Sequence, residues 1–265
     1  NRRNEVVVLS RNHIWQRSED PKETEKVLEE SLKNLKTDVI DIYQLHDVSS
    51  YASYKKIIEN GIYDVLKKAK REGKIRFIGF STHGSLELKK EMIKEEVDVM
   101  TIVYNLLYSK RQLEDGEDIK KTEEEFFPLA QKYNIGLTIM KPFGGGILTI
   151  KREGKKQLSP IMLLRYIIEN KYIHTVTPGV ENLNQLEEIV KAGEIKQKLT
   201  EEEKKEIEKE ASEWGRDFCR QCGYCLPCPQ NINIPKIMKF LLGWELDKNE
   251  SLKQNYQKLE VKASE

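Results

Sequence analysis

Asp38-Val39-Ile40-Asp41-Ile42-Tyr43-Gln44-Leu45-His46-Asp47 is the stretch on which the fold turns. Val39 to Leu45 is a short run rich in β-branched residues and reads as a strand that ends in a histidine. Upstream, Pro21 to Leu35 carries Val27, Leu28, Leu32 and Leu35 at three- and four-residue spacing, the stripe of an amphipathic helix. Downstream, Tyr54 to Arg71 reads as a helix closed by Gly73. The same pairing continues outward in both directions. Strands are predicted over Val6 to Leu9, Ile75 to Phe80, Val97 to Tyr104, Ile135 to Met140 and His174 to Thr177. Helices are predicted over Leu86 to Lys94, Glu123 to Tyr133, Pro160 to Asn170 and Leu183 to Ala192. Ser159 and Asn182 are the natural N-caps of the last two, with Pro160 at a first helical position.

Six strand–helix units thus recur at roughly the ~30-residue period of βα repeats. Alternating βα units imply a parallel sheet with helices packed on it. An open doubly wound sheet and a closed barrel both fit that alternation. No Gly-x-Gly-x-x-Gly follows any strand, which removes the main support for the dinucleotide-binding open sheet. A barrel needs eight strands, so two units, about 60 residues, are unaccounted for. After them, Leu199-Thr200-Glu201-Glu202-Glu203 carries a capping signature and opens a helix to about Trp214. Ile234 to Leu242 is helical, and beyond Gly243 the tail is polar and poorly periodic.

Composition narrows the partners. The chain has 265 residues, 38% of them hydrophobic, enough for one sizeable core and a smaller appendage. Lys and Arg number 45 against 44 Asp and Glu, so no global field draws the chain to nucleic acid or to a membrane surface. No apolar run approaches the ~20 residues that span a bilayer. No secretory signal pattern is visible, which makes a reducing cytoplasm the expected location.

All four cysteines fall in Cys219-Arg220-Gln221-Cys222-Gly223-Tyr224-Cys225-Leu226-Pro227-Cys228-Pro229. Three successive two-residue spacers place four sulfurs on one tight wrap of backbone. That suits the four iron corners of a 4Fe–4S cubane. Gly223 permits a close turn, and Pro229 redirects the chain. A disulfide set is disfavoured where no secretory signal is seen. Zinc prefers two Cys-x-x-Cys knuckles separated by a longer loop. The spacing departs by one residue from the bacterial ferredoxin run, Cys-x2-Cys-x2-Cys-x3-Cys-Pro. Whether Cys228 closes this cluster or reaches toward another stays open, and a second cluster cannot be built from this chain alone.

His46, placed by its strand at the mouth where barrel active sites lie, can hydrogen-bond a substrate carbonyl as a neutral imidazole. The surrounding text then becomes specific. Asp38 to His46 resembles the strand-four signature of the aldo/keto reductase family, and Glu29-Glu30-Ser31-Leu32-Lys33-Asn34-Leu35 the helix before it. Gly73 to Ser81 resembles strand five, Met140-Lys141-Pro142-Phe143-Gly144-Gly145-Gly146 strand seven and its loop, and Pro178 to Glu187 strand eight and its helix. These motifs occur in family order from about Asn4 to Ala192. The cysteine tail is similar to the iron–sulfur branch of that family.

The resemblance implies a (β/α)8 TIM barrel lacking its first two βα units over residues 1–214, and a small, mainly α-helical 4Fe–4S ferredoxin-type domain over 215–265. It implies hydride transfer between NADPH or NADH and a small-molecule carbonyl or alcohol. The family uses Tyr, Lys, Asp and His; His46 matches the last, and Arg11 stands at the Lys position. Arginine keeps the charge but cannot deprotonate. The Asp and Tyr would lie on and after a strand that precedes Asn1, so the sequence is expected to be a fragment truncated at both ends and inactive by itself. By the same match, Ser81 and Thr82 sit where the nicotinamide carboxamide is bound, with Thr82 in place of Asn. Thr101 stands where Gln is common, and Tyr104 where an aromatic stacks on the nicotinamide. Lys141, Gly144, Gly145 and Gly146 would line the pyrophosphate, and Val180, Asn182 and Gln185 the adenosine. A cluster beside a hydride site suggests a redox partner protein. The competing expectation is a non-catalytic barrel serving as a nucleotide-sensing or electron-transfer subunit.

Overall fold

The computed structural model describes residues 2–106, 121–149, 158–213, 225–247 and 250–262. They cluster in two compact units. The first collects the described residues of Asn1–Tyr104, Gln112–Met140 and Ile168–Thr177, the second those of Asn105–Arg111, Lys141–Ile167 and Pro178–Glu265.

The first unit is a parallel sheet with its helices. β1 (Leu9–Asn12), β2 (Ile40–Leu45), β3 (Ile75–Thr82), β4 (Val99–Val103), β5 (Gly136–Met140) and β6 (Thr175–Thr177) pair in that order, every pair parallel. A sheet that follows chain order through right-handed crossovers sends all its connections over one face. A doubly wound sheet would reverse its order partway. Strand order therefore decides between the two architectures that the alternation left open, in favour of barrel-type winding. Among the described residues the sheet is open, with β1 and β6 at its edges.

Side chains alternate across the sheet, and the packing of β2 tells which face is which. Tyr43 is fully buried with its hydroxyl 3.3 Å from Ser31 Oγ of α1 (Pro21–Leu35), so Tyr43 and Leu45 face the helices. On β3, Phe80 stacks on Tyr63 of α3 (Ile62–Arg71), with ring centroids 4.5 Å apart, and meets Tyr54 of α2 (Tyr51–Glu59) edge-on. The opposite face carries Arg11, Gln44, Gly79, Ser81 and Thr101. α4 (Leu86–Met92) and α5 (Phe127–Lys132) complete the unit.

Three elements of the first unit differ from the sequence reading. The first strand is not Val6 to Leu9: Val6 and Val7 are 57% and 72% exposed, and Arg3–Glu5 is a 3-10 turn. The buried Asp41 carboxylate decides this. It accepts the Val8 N–H at 2.8 Å and pairs with Arg3 at 2.8 Å and Arg76 at 2.7 Å, so a side chain takes the place of a ladder bond at the Val8 N–H, while the Val8 carbonyl still accepts the Ile42 N–H at 3.0 Å. The single helix over Tyr54 to Arg71 is two, α2 and α3, broken at Gly61, whose φ of 71° is left-handed. α2 starts earlier than read, at Tyr51, because Ser50 Oγ caps the Ser53 N–H. The helix over Glu123 to Tyr133 begins as a π-helical turn, Thr122–Phe126. It leads into α5, where Pro128 has no N–H to give.

Burial alone would raise the Asp41 carboxyl, but the Val8 amide, Arg3 and Arg76 outweigh it and hold Asp41 below the ordinary carboxylate range. Its contribution to stability is therefore complete above that range and is lost as pH falls through the depressed value. Asp41→Ala is expected to lower stability by about 2 kcal/mol near neutral pH, less than a fully buried pair because Arg76 is largely exposed. Urea unfolding followed by circular dichroism reads it, and a change within a few tenths of a kcal/mol would assign the network no role.

The second unit is helical: most of α6 (Pro160–Ile168), then α7 (Leu183–Glu194), α8 (Glu201–Glu213), α9 (Ile234–Asp247) and α10 (Glu250–Gln257). Leu106, Leu148, Leu158, Leu163, Leu199 and Ile207 form its core. The caps read from sequence are in place. Ser159 Oγ accepts the Met162 N–H, and Asn182 Oδ1 the Gln185 N–H. Thr200 and Glu203 exchange both bonds of a capping box. α10 corrects the reading of the tail beyond Gly243 as irregular: Lys253 lies over the Trp244 ring, 5.7 Å from its centroid, which favours a helix that few apolar residues announce.

Candidate functional site

His46 follows β2 directly and is anchored on its backbone from two sides. Its N–H donates to Asn12 O at 2.8 Å, and the Trp15 indole N–H donates to its carbonyl at 2.9 Å. Its Nδ1 lies 2.9 Å from Ser81 Oγ, the residue that β3 brings alongside. Burial first, and the Arg11 charge second, push the imidazole below the ordinary histidine value; the Asp47 carboxylate pulls the other way and His13 adds to the lowering. At neutral pH His46 is thus an uncharged imidazole.

Arg11 sits on β1 opposite Gln44 in register. Its Nε donates to Gln44 Oε1 at 3.3 Å and its Nη2 reaches Thr101 Oγ1 at 3.5 Å. Gln44 is itself pinned across the sheet: its Nε2 donates to Val99 O at 3.1 Å and its Oε1 accepts the Thr101 hydroxyl at 2.8 Å. That bridge crosses β3 at Gly79, which pairs Gln44 on one side and Val99 on the other. Arg3, Arg76 and Arg165 each meet a carboxylate; among the described residues Arg11 does not. Burial lowers the Arg11 pKa from its ordinary value, yet a guanidinium stays charged at neutral pH. The result is a fixed positive charge beside a neutral histidine at the carboxyl end of the strands.

Gln44 was missed in the sequence. Its signal was the period-two alternation that puts residue 44 on the face of residue 46. Thr82 and Tyr104, by contrast, are occupied. The Thr82 hydroxyl is fully buried, donates to Val48 O at 2.7 Å and accepts the Gly84 N–H at 2.8 Å. Tyr104 is 2% exposed, its hydroxyl donates to Glu123 and its ring meets Phe127 edge-on.

The second unit holds the other named residues. Asn105 Nδ2 donates to Lys141 O at 2.9 Å, and Lys141 takes a positive φ of 54°. Gly144, Gly145 and Gly146 follow with φ of 61°, 74° and 95°. The N–H groups of Gly144 and Gly146 donate within the turn, to Lys141 O and Phe143 O. Nothing stands within 4 Å of where a Cβ would project from Gly145 or Gly146. Val180 is exposed, Asn182 caps α7, and Gln185 Oε1 accepts the Glu181 N–H at 2.7 Å. Cys225 and Cys228 are free thiols, exposed and half-buried; Cys219 and Cys222 lie outside the described residues. Among the described residues no three His, Cys, Asp or Glu side chains gather as a metal site, and no helix is long and apolar enough to cross a membrane.

Because His46 is depressed, its unfolded form binds a proton more readily than its folded form. Stability therefore rises with pH through the histidine range and is lost as pH falls below the ordinary histidine value. His46→Gln is expected to flatten that part of the stability–pH curve, measured by urea midpoints between pH 5 and 8; an unchanged slope would assign it to another group.

A parallel βα sheet with a charged and a neutral group at the strand carboxyl ends is the arrangement of a barrel enzyme. The model of the aldo/keto reductase family matches residues 1–162, and the chain belongs to that family, which makes it an oxidoreductase by class. The uncharacterized oxidoreductase YqkF of Bacillus subtilis is 24% identical over 246 residues, 78% of this chain and 74% of its own length. The L-galactose dehydrogenase of Arabidopsis thaliana is 28% identical over 191 residues, 63% of this chain and 56% of its own length. Among solved structures, the aldo-keto reductase AKR11C1 from Bacillus halodurans superposes with a TM-score of 0.61 at 23% identity, over 79% of this chain and 73% of that one, a likeness of fold.

Proposed function

We propose that the protein transfers hydride between a nicotinamide dinucleotide, NADPH or NADH, and the carbonyl of a small molecule. The observation that carries this is the neutral His46 fixed beside the Arg11 charge at the strand ends. The imidazole N–H hydrogen-bonds the carbonyl oxygen, and Arg11 favours the negative charge that oxygen gains as it is reduced. Neither residue changes charge: they hold the alkoxide, and the proton that completes the alcohol is taken up from solvent. The dinucleotide, when bound, supplies the hydride. By the resemblance, the Gly144–Gly146 turn would meet its phosphates; in the second unit taken by itself, the space beyond Gly145 and Gly146 is open. By the same resemblance Lys141 would join the glycines at the pyrophosphate, and Val180, Asn182 and Gln185, the last in the first turn of α7, would meet the adenosine. Both dinucleotides are titrated against the protein and followed by nicotinamide fluorescence. Binding of one is expected, and binding of neither would sink the reading.

The cysteine cassette carries a finer proposal, a 4Fe–4S cluster on Cys219, Cys222, Cys225 and Cys228. Support comes from the spacing and from Cys225 and Cys228 being free thiols three residues apart. Such a cluster would exchange single electrons with a redox partner protein or hold the tail together. Anaerobically purified protein is expected to be brown, with about four irons and four sulfides per chain. Cys225→Ser is expected to bleach it. Colourless protein containing zinc would end this part.

A further inference from the structure

The turn after His46 is zipped onto the end of β3 by an unusual set of bonds. Asp47 N–H donates to Ser81 Oγ at 3.0 Å, and Val48 N–H to Ser81 O at 2.9 Å. The Thr82 hydroxyl donates to Val48 O, Gly84 N–H to Thr82 Oγ1, and His83 N–H to Ser49 Oγ at 2.8 Å. Ser49 Oγ donates in turn to Asp47 Oδ1 at 2.5 Å. Asp47 itself is left-handed, with φ of 56°. The side chains of Ser81 and Thr82, expected by resemblance to face a cofactor, are spent on this clip.

The hydroxyl of Ser81 then has a determined role. A backbone N–H can only donate, so Asp47 occupies one Ser81 lone pair. Ser81 is fully buried, which leaves its hydrogen no route to solvent. Among the described residues, the acceptor within its reach is His46 Nδ1, 2.9 Å away. Were Nδ1 to carry the proton, the Ser81 hydrogen would be buried without an acceptor, a state that folded proteins avoid.

We propose that Ser81, held by the Asp47 amide and the Thr82–Val48 clip, is a positioning residue that fixes His46 as the Nε2–H tautomer. This rests on the reductase reading only for what His46 then does: Nε2–H becomes the donor offered to the substrate carbonyl. Ser81 acts through the imidazole and not on the reacting atoms.

The test is the tautomer itself. Long-range proton–nitrogen correlation spectra of the nitrogen-15-labelled full chain at neutral pH distinguish the two forms, with His46 assigned from the signal lost in His46→Gln. The Nε2–H form is expected to outnumber the other by about tenfold or more, the bias one buried hydrogen bond supplies. Ser81→Ala is expected to bring the two forms toward parity, while Ser81→Thr keeps the bias. A wild-type His46 protonated on Nδ1, or on both nitrogens, overturns the proposal, and this measurement decides it even where a variant does not fold. Adding NADPH or NADH is expected to leave the ratio unchanged. A shift toward Nδ1–H on binding would return the hydroxyl to the carboxamide and overturn the proposal. Failure of both dinucleotides to bind, read by nicotinamide fluorescence, counts against the reductase reading, and the cofactor-free spectrum still decides the clip.

Discussion

Gly79→Ala is expected to destabilise the protein by about 3 kcal/mol, the upper part of the range for forcing atoms into a packed interior. A Cβ at this position would stand 1.8 Å from the Val99 carbonyl oxygen and 2.9 Å from its carbon. Both are backbone atoms of the neighbouring strand, so no rotamer change relieves the overlap. The same carbonyl accepts from Gln44 Nε2, and Gln44 holds Arg11. Pushing β4 away therefore breaks the β3–β4 pairing and frees the guanidinium together. Gly73→Ala is the control. Gly73 has a φ of 78° with nothing within 4 Å of its Cβ position, so only the left-handed backbone is penalised, by about 1 kcal/mol. Urea unfolding of both variants separates the two costs. A Gly79→Ala loss no greater than that of Gly73→Ala would show that β4 yields freely, and that the bridge over Gly79 does not fix Arg11.

Truncating His46 to alanine is expected to reduce kcat/KM for carbonyl reduction by about 10²–10³, the usual worth of one hydrogen-bond donor aimed at a developing oxyanion. The measurement uses a small aldehyde as substrate. Dinucleotide affinity is measured alongside, which tells a loss of binding from a loss of chemistry. The loss is expected in kcat more than in KM, since the bond to the carbonyl oxygen strengthens as charge develops there. A loss below about tenfold would mean that His46 is a structural histidine and that Arg11 or another group meets the carbonyl.

Much of this site could be read in advance, and the reasons differ by residue. His46 was legible because a β-branched run fixes a strand, and the strand's end fixes the mouth. Arg11 was legible only through family likeness: its own predicted strand was placed three residues early, because Asp41 holds the chain before Leu9 by side-chain bonds that no periodicity encodes. Gln44 escaped because its partners lie 55 and 57 residues away, on the far side of a glycine. Thr82 was read as lying just past its strand and Tyr104 as ending one, whereas β3 runs on through Thr82 and β4 stops at Val103. What they bond to, Val48 and Glu123, depends on which loop folds over each strand end.

The amino-acid order by itself determined the repeating strand–helix units, the helix caps at Ser159, Asn182 and Thr200, and the cysteine spacing, because each is set by neighbours within a few positions. Tertiary structure alone decided that the strands lie in chain order, that Gly61 divides one helix into two, that Gln44 spans Gly79 to hold Arg11, and that Ser81 turns its hydroxyl to His46. Those outcomes depend on pairings between residues far apart in the chain. A contact made across a sheet leaves almost no trace in the local pattern on either side of it.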